Sequence, residues 1–120
     1  QLDDVSAQNH FLHTVMEGRS FNFFVHGVAV KAWRRARVGR VRMQAGDIAV
    51  WSHGRQCFGR VRGILVIDGV AYLSAYTMTA VGHGLLTLGT DECLVLCTRV
   101  EGILLYVESA GQPFRVLMPT

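Results

Sequence analysis

Two textures of apolar and polar residues divide the chain near residue 20. Over residues 1–17, Val5, Leu12, Val15 and Met16 recur at roughly helical spacing. Asp3 or Asp4 is placed to cap the start, and Gly18 to end it. This predicts a short helical lead-in. From Phe21 onward, short runs of Val, Ile, Leu and aromatic residues alternate with glycine-containing breaks, the pattern of strands and turns. Strands are expected near 23–30, 38–43, 48–52, 57–67, 70–78, 94–98, 103–108 and 114–118. Turns are expected at Ala45-Gly46-Asp47, Ser52-His53-Gly54, Asp68-Gly69, Glu101-Gly102 and Ala110-Gly111. Asp68-Gly69 is the strongest hairpin signal, because both residues accept the positive φ angles of a type I′ turn.

Residues 57–67 carry an internal contradiction that is itself informative. In a regular strand, Phe58, Arg60, Arg62, Ile64 and Val66 share one face, which then turns from basic to apolar halfway along. One inserted residue near Gly63 removes the conflict by swapping the faces. Long, bent strands of this kind close small barrels. Eight short strands with no helical period between them predict a mainly β fold, a closed or partly open barrel, preceded by the helix. His-Gly occurs at 26–27, 53–54 and 83–84, but the flanking residues do not match, so turn placement explains the pairs.

The 120 residues, 50% of them hydrophobic, with only two Pro, are expected to form one ordered domain, with residues 21–118 as the β unit. The longest aliphatic run, Ile64–Ile67, is far short of the roughly 20 residues of a membrane helix, and no secretory signal pattern is present. No membrane partner is expected. Gln1 at the start leaves room for a longer parent chain. The three Cys, at 57, 93 and 97, have no paired spacing. Cys93 and Cys97 would lie roughly 13 Å apart on one strand, beyond disulfide reach. Free thiols in an intracellular, reducing compartment are therefore expected.

Charge changes the picture most. Residues 1–17 sum to −3, residues 18–67 to +9 and residues 68–120 to −3, so the net +3 hides a polarised chain. Eleven of the twelve basic residues are Arg, whose planar fork suits phosphate and carboxylate. Arg34, Arg35, Arg37, Arg40 and Arg42 follow Lys31 around Trp33, and Arg60 and Arg62 come from the next long strand. These seven arginines are the candidate contacts to nucleic acid or an acidic protein surface. The competing reading is a solvated face paired with the acidic ends of the same chain.

Trp51, Phe58, Tyr72 and Tyr76 form a candidate aromatic pocket, as cages that hold methylated lysine do, although rings at alternating strand positions more often pack in a core. His10 and His13 share a helical spacing but lack further ligands, so no metal and no cofactor are expected. His53 and Cys57, with Asp47, can be drawn as base, nucleophile and orienter. No oxyanion-hole context accompanies them, and no enzyme is expected.

Ala45-Gly46-Asp47-Ile48-Ala49-Val50-Trp51, followed by Cys57-Phe58-Gly59-Arg60-Val61-Arg62-Gly63-Ile64, resembles the opening strands of BAH and Tudor-type SH3-like barrels. In those modules a Gly-Asp turn opens a strand of alternating aliphatics, and a hairpin leads to an aromatic-Gly/Ala-basic-Val/Ile strand. The resemblance covers about 20 of 120 residues. It implies a non-catalytic chromatin or protein-interaction reader; together with the basic span, this favours the nucleus over the cytoplasm and nucleic acid or a nucleosome surface as partner. Gly46 would allow the turn, Asp47 cap it, Ile48 and Val50 point inward, and Gly59 permit close packing. The alternative is an oligomerisation or scaffolding domain, motivated by the apolar stretches at 94–96, 103–107 and 116–118 and an exposed β edge.

Overall fold

Period-two alternation becomes a single antiparallel sheet of nine strands in the computed structural model, which describes residues 14–108 and 114–117. The strands are β1 (Thr14–Val25), β2 (Val28–Val38), β3 (Val41–Gln44), β4 (Ile48–Ser52) and β5 (Gln56–Ile67). They continue with β6 (Val70–Gly82), β7 (Leu85–Leu96), β8 (Gly102–Glu108) and β9 (Phe114–Leu117). A 3-10 turn, Cys97–Arg99, follows β7. The helix expected over residues 1–17 is not supported. Residues 1–13 lie outside the described residues, and Thr14–Glu17 are strand, paired with Arg35–Val38 of β2. Cross-strand pairing and the β-branched Thr14 and Val15 outweigh a loose helical spacing.

Turn chemistry sets the register. Asp68 and Gly69 both have positive φ, 51° and 77°, as a two-residue type I′ hairpin requires, and β5 and β6 leave this turn paired from Ile67↔Val70 onward. His26 and Gly27, at 50° and 80°, make a second such turn. It divides the expected 23–30 strand into the ends of β1 and β2. Gly39-Arg40 likewise divides 38–43 between β2 and β3. In β5 the register shifts by one residue between Val61 and Gly63, so Arg62 is the inserted residue. Val61 and Ile64 are consequently both buried, and the basic-to-apolar switch is resolved as the sequence pattern requires.

Pairings run β5–β4–β8–β9–β7–β6 and return from β6 to β5, a circuit of six strands. Every strand of that circuit contributes to one apolar cluster: Ile48, Phe58, Met78, Leu86, Leu88, Leu104, Tyr106, Phe114 and Val116. Tyr106 and Phe114 meet edge to face at 5.6 Å, and the Tyr106 hydroxyl donates 2.6 Å to the Gly46 carbonyl. A second, larger cluster lies on the opposite face of β4 and β5, where Ala49, Trp51, Val61 and Ile64 meet Leu73, Ala75, Val95 and Cys97. Ala36 and Met43 of β2 and β3 complete it. Successive residues of β4 serve different clusters, Ile48 one and Ala49 the other, which is why all of Ile48–Trp51 is buried. Gly59 is fixed by this arrangement, since a Cβ there would stand 2.6 Å from the Trp51 ring.

Outside the circuit, β2 joins β5 through Val30–Trp33 opposite Ile64–Ile67, and carries β1 and β3 with it. This three-stranded ribbon, residues 14–44, holds seven basic residues and one acid, Glu17.

Candidate functional site

Alternation along β2 sorts its side chains. Arg35 and Arg37 point to one face and are exposed, whereas Ala36 between them is 2% exposed and packs in the core. The same holds on β3, where exposed Arg42 precedes buried Met43. The register places Arg37 directly opposite Arg42, and Arg35 opposite Gln44 on one side and Glu17 on the other. Arg35 lies across β1 at Gly18, where a Cβ would be 3.4 Å from its guanidinium. Arg40 occupies the β2–β3 turn. Arg35, Arg37, Arg40 and Arg42 thus occupy one end of the ribbon, and like charges stand opposed at its centre. Such a pair is destabilising by itself.

Arg34 is separated from them. It alternates to the other side of β2 and borders an open groove of about 730 Å3 with Phe21, Phe23, Leu65, Arg62 and Glu92.

The two arginines of β5 are already engaged within the chain. The Arg62 guanidinium is ion-paired with Glu92 and lies 4.8 Å from the centre of the Tyr76 ring. Arg60 lies 5.1 Å from the Phe114 ring centre and 3.9 Å from the Glu108 carboxylate. For this pair, the solvated face balanced by the acidic carboxy-terminal half describes the structure better than a free basic stripe. Lys31, on β2, sits 5.9 Å from the Trp33 ring centre.

The four candidate pocket aromatics are not brought onto one face. Trp51 shares a cross-strand pair with Cys57, so Phe58 projects to the opposite side, into the other apolar cluster. Trp51, Phe58 and Tyr72 all border an open groove of about 800 Å3, while Tyr76 stands apart beneath Arg62. Trp51 is only 6% exposed. His53, Arg55 and Arg99 are among that groove's lining residues and no carboxylate is, which disfavours a cationic guest.

Asp47 and His53 flank opposite ends of β4, roughly 20 Å apart for six steps at about 3.3 Å each, so no relay through them to Cys57 exists. The Asp47 carboxylate instead accepts a 2.9 Å hydrogen bond from the Gln44 backbone, closing the turn that Gly46 permits. Burial raises the Asp47 pKa, and this backbone bond partly opposes the rise. The Cys57 thiol donates 3.5 Å to the Arg55 carbonyl. Cys93 is raised by burial and then by nearby Cys57, and burial pushes the Cys97 thiol up to about 12. All three cysteines are free. A shift in this direction makes a thiol a poorer nucleophile at neutral pH. His10 and His13 lie outside the described residues, among which no cluster of three metal-ligating side chains occurs.

Sequence reasoning did not single out Arg19, exposed at the β1 bulge, nor the exposed Phe21, Phe23 and Phe24. Arg19 belongs to the same nearly acid-free span, so charge counting already contained it. No family model matches the chain, and no curated protein is significantly similar to it.

Proposed function

We propose that this chain is a non-catalytic binding module that engages a polyanion through the arginine end of the β1–β3 ribbon. Nucleic acid or a nucleosome surface is the favoured partner and the nucleus the favoured compartment; an acidic protein surface is the alternative. In this reading the six-strand circuit is a small barrel of the SH3-like, BAH/Tudor type, and the ribbon is its binding attachment. The observation that carries it is Arg37 standing directly opposite Arg42 on an exposed face, with Arg35 and Arg40 alongside. A ladder of this kind costs stability in the free protein and becomes favourable when phosphates lie across it. Arg60 and Arg62 contribute to the fold and drop out of the contact set.

Fluorescence anisotropy with duplex DNA, single-stranded RNA and polyglutamate at low ionic strength tests the reading. Saturable binding of either nucleic acid, stronger than that of polyglutamate, is expected. Preference for polyglutamate would transfer the site to an acidic protein, and no binding to any of the three would overturn the proposal.

A further inference from the structure

Among the described residues β1 pairs only with β2, which leaves the other edge of Ser20–Val25 open. Sheet edges are ordinarily protected by a charge, a proline or a bulge. The β1 bulge, between Glu17 and Ser20, guards the first half of the strand. The second half, Ser20-Phe21-Asn22-Phe23-Phe24-Val25, carries none of these devices. It is also unusually apolar for its exposure: Phe21 is 59%, Phe23 39%, Phe24 75% and Val25 45% exposed, with Val28 across the turn at 42%. Among the described residues, five of the thirteen exposed large hydrophobics thus lie within one hairpin end, the clustering of an interaction surface and not scattered exposure.

The occupant follows from the symmetry of this segment. Two antiparallel copies related by a two-fold axis perpendicular to the sheet must pair residues that share a face. An axis through Asn22 places Phe21 opposite Phe23 of the second copy, Phe23 opposite its Phe21, and Asn22 opposite its Asn22. All four of these rings then lie on the face that Ala32 and Val30 share with them in the β1–β2 register. Phe21 and Phe23 border the groove on each copy, so the two grooves would meet across the axis. Asn22 meets its own kind on the reverse face, where paired amides satisfy one another. No charged residue lies in Ser20–Val25, so the junction opposes no like charges.

We propose that a second copy of this chain adds to the β1 edge, joining the two sheets antiparallel about Asn22. This proposal stands apart from the polyanion reading, because it uses none of Arg35, Arg37, Arg40 or Arg42. The carboxy-terminal strands keep an edge of their own, since β7 meets β9 only at Leu85 and Leu86, but that edge lacks the run of exposed phenylalanines that β1 carries.

Sedimentation velocity on the full chain should show a concentration-dependent dimer, weakened at least tenfold by Phe21→Lys. Directly opposed residues have Cα atoms about 4.5–5.5 Å apart, within disulfide reach. Under mild oxidation Asn22→Cys should therefore crosslink with itself. Phe21→Cys and Phe23→Cys should each fail alone and crosslink when mixed, against the parent chain as control for Cys57, Cys93 and Cys97. A monomer at high concentration overturns the proposal. So does a dimer that survives Phe21→Lys, or an Asn22→Cys chain that stays uncrosslinked.

Discussion

The arginines of the β1–β3 ribbon and those of β5 are the same residue type in the same basic span, yet they do opposite things. On β5, Arg60 and Arg62 each have a carboxylate from the acidic half of the chain and an aromatic ring beneath the guanidinium. On the ribbon, Arg37 faces Arg42, and the only acid in the strands there is Glu17, opposite Arg35. The circuit is closed by pairing, packed on both faces of β4, and supplies carboxylates to both β5 arginines. The ribbon is joined to it through β2 and left with charge to spend on something else. Counting arginines along the sequence cannot separate these roles; asking which strand lies across from each of them does.

The comparison is sharpened first where packing is tightest. Trp51→Ala should cost about 3–5 kcal/mol by emptying the larger cluster, read as a fall in the urea midpoint. Gly59→Ala should cost about 1–3 kcal/mol, because its Cβ would press on the Trp51 ring and on Ala75. Neither loss has a counterpart among the ribbon arginines.

Alkaline titration probes the same cluster. The Cys97 thiol, raised from 9.0 to about 12, stays protonated in the folded chain while the unfolded chain releases its proton. Stability from this group is complete below pH 9.0 and is lost as pH rises towards about 12, at no more than about 1.4 kcal/mol per pH unit. Cys97→Ala should flatten that slope, and an unchanged slope would remove Cys97 from the account. Asp47, also raised, has the same sign: its contribution is present below 3.8 and is lost as pH rises through its folded value.

Smaller effects test the arginines directly. Arg62→Ala should destabilise by up to about 1 kcal/mol, since an exposed ion pair and a cation–π contact are lost together. Arg37→Thr should do the reverse and stabilise the free protein by a few tenths of a kcal/mol, by removing a like-charge pair. Destabilisation by Arg37→Thr would mean that the ribbon arginines, too, are structural.

Much of the circuit is legible in the sequence. The alternation at 48–52, the Asp68-Gly69 turn and the face conflict in 57–67 each had one physical solution, and β4, the β5–β6 hairpin and the bulge at Arg62 are those solutions. β2 was not recognised, because a run of Lys31, Trp33, Arg34, Arg35 and Arg37 looks like a charged loop. Yet Val30, Ala32, Ala36 and Val38 alternate through it with period two, and two of them are buried. The middle of β7 hid for another reason. Gly89-Thr90-Asp91-Glu92 has turn composition, and the strand accommodates it by a register shift opposite Tyr76–Met78. At the site, composition located the basic segment but not its division, since the partners of Arg60 and Arg62 come from Glu108 and Glu92, about 30 to 50 residues away along the chain. Of the four pocket aromatics, Trp51, Phe58 and Tyr72 border one groove, but alternation sends Trp51 and Phe58 to opposite faces of paired strands and Tyr76 lies under Arg62.

The central claim is that the ribbon arginines, and not those of β5, meet phosphate. The salt dependence of duplex DNA binding decides it, compared among the parent chain, an Arg35→Gln/Arg37→Gln/Arg42→Gln chain and an Arg60→Gln/Arg62→Gln chain. The log–log slope is about −0.9 per phosphate contact. The ribbon triple variant should therefore lose about 3 contacts' worth of slope, and the β5 double variant almost none. Equal slopes for the parent and the ribbon variant, or a slope lost only in the β5 variant, would contradict the account.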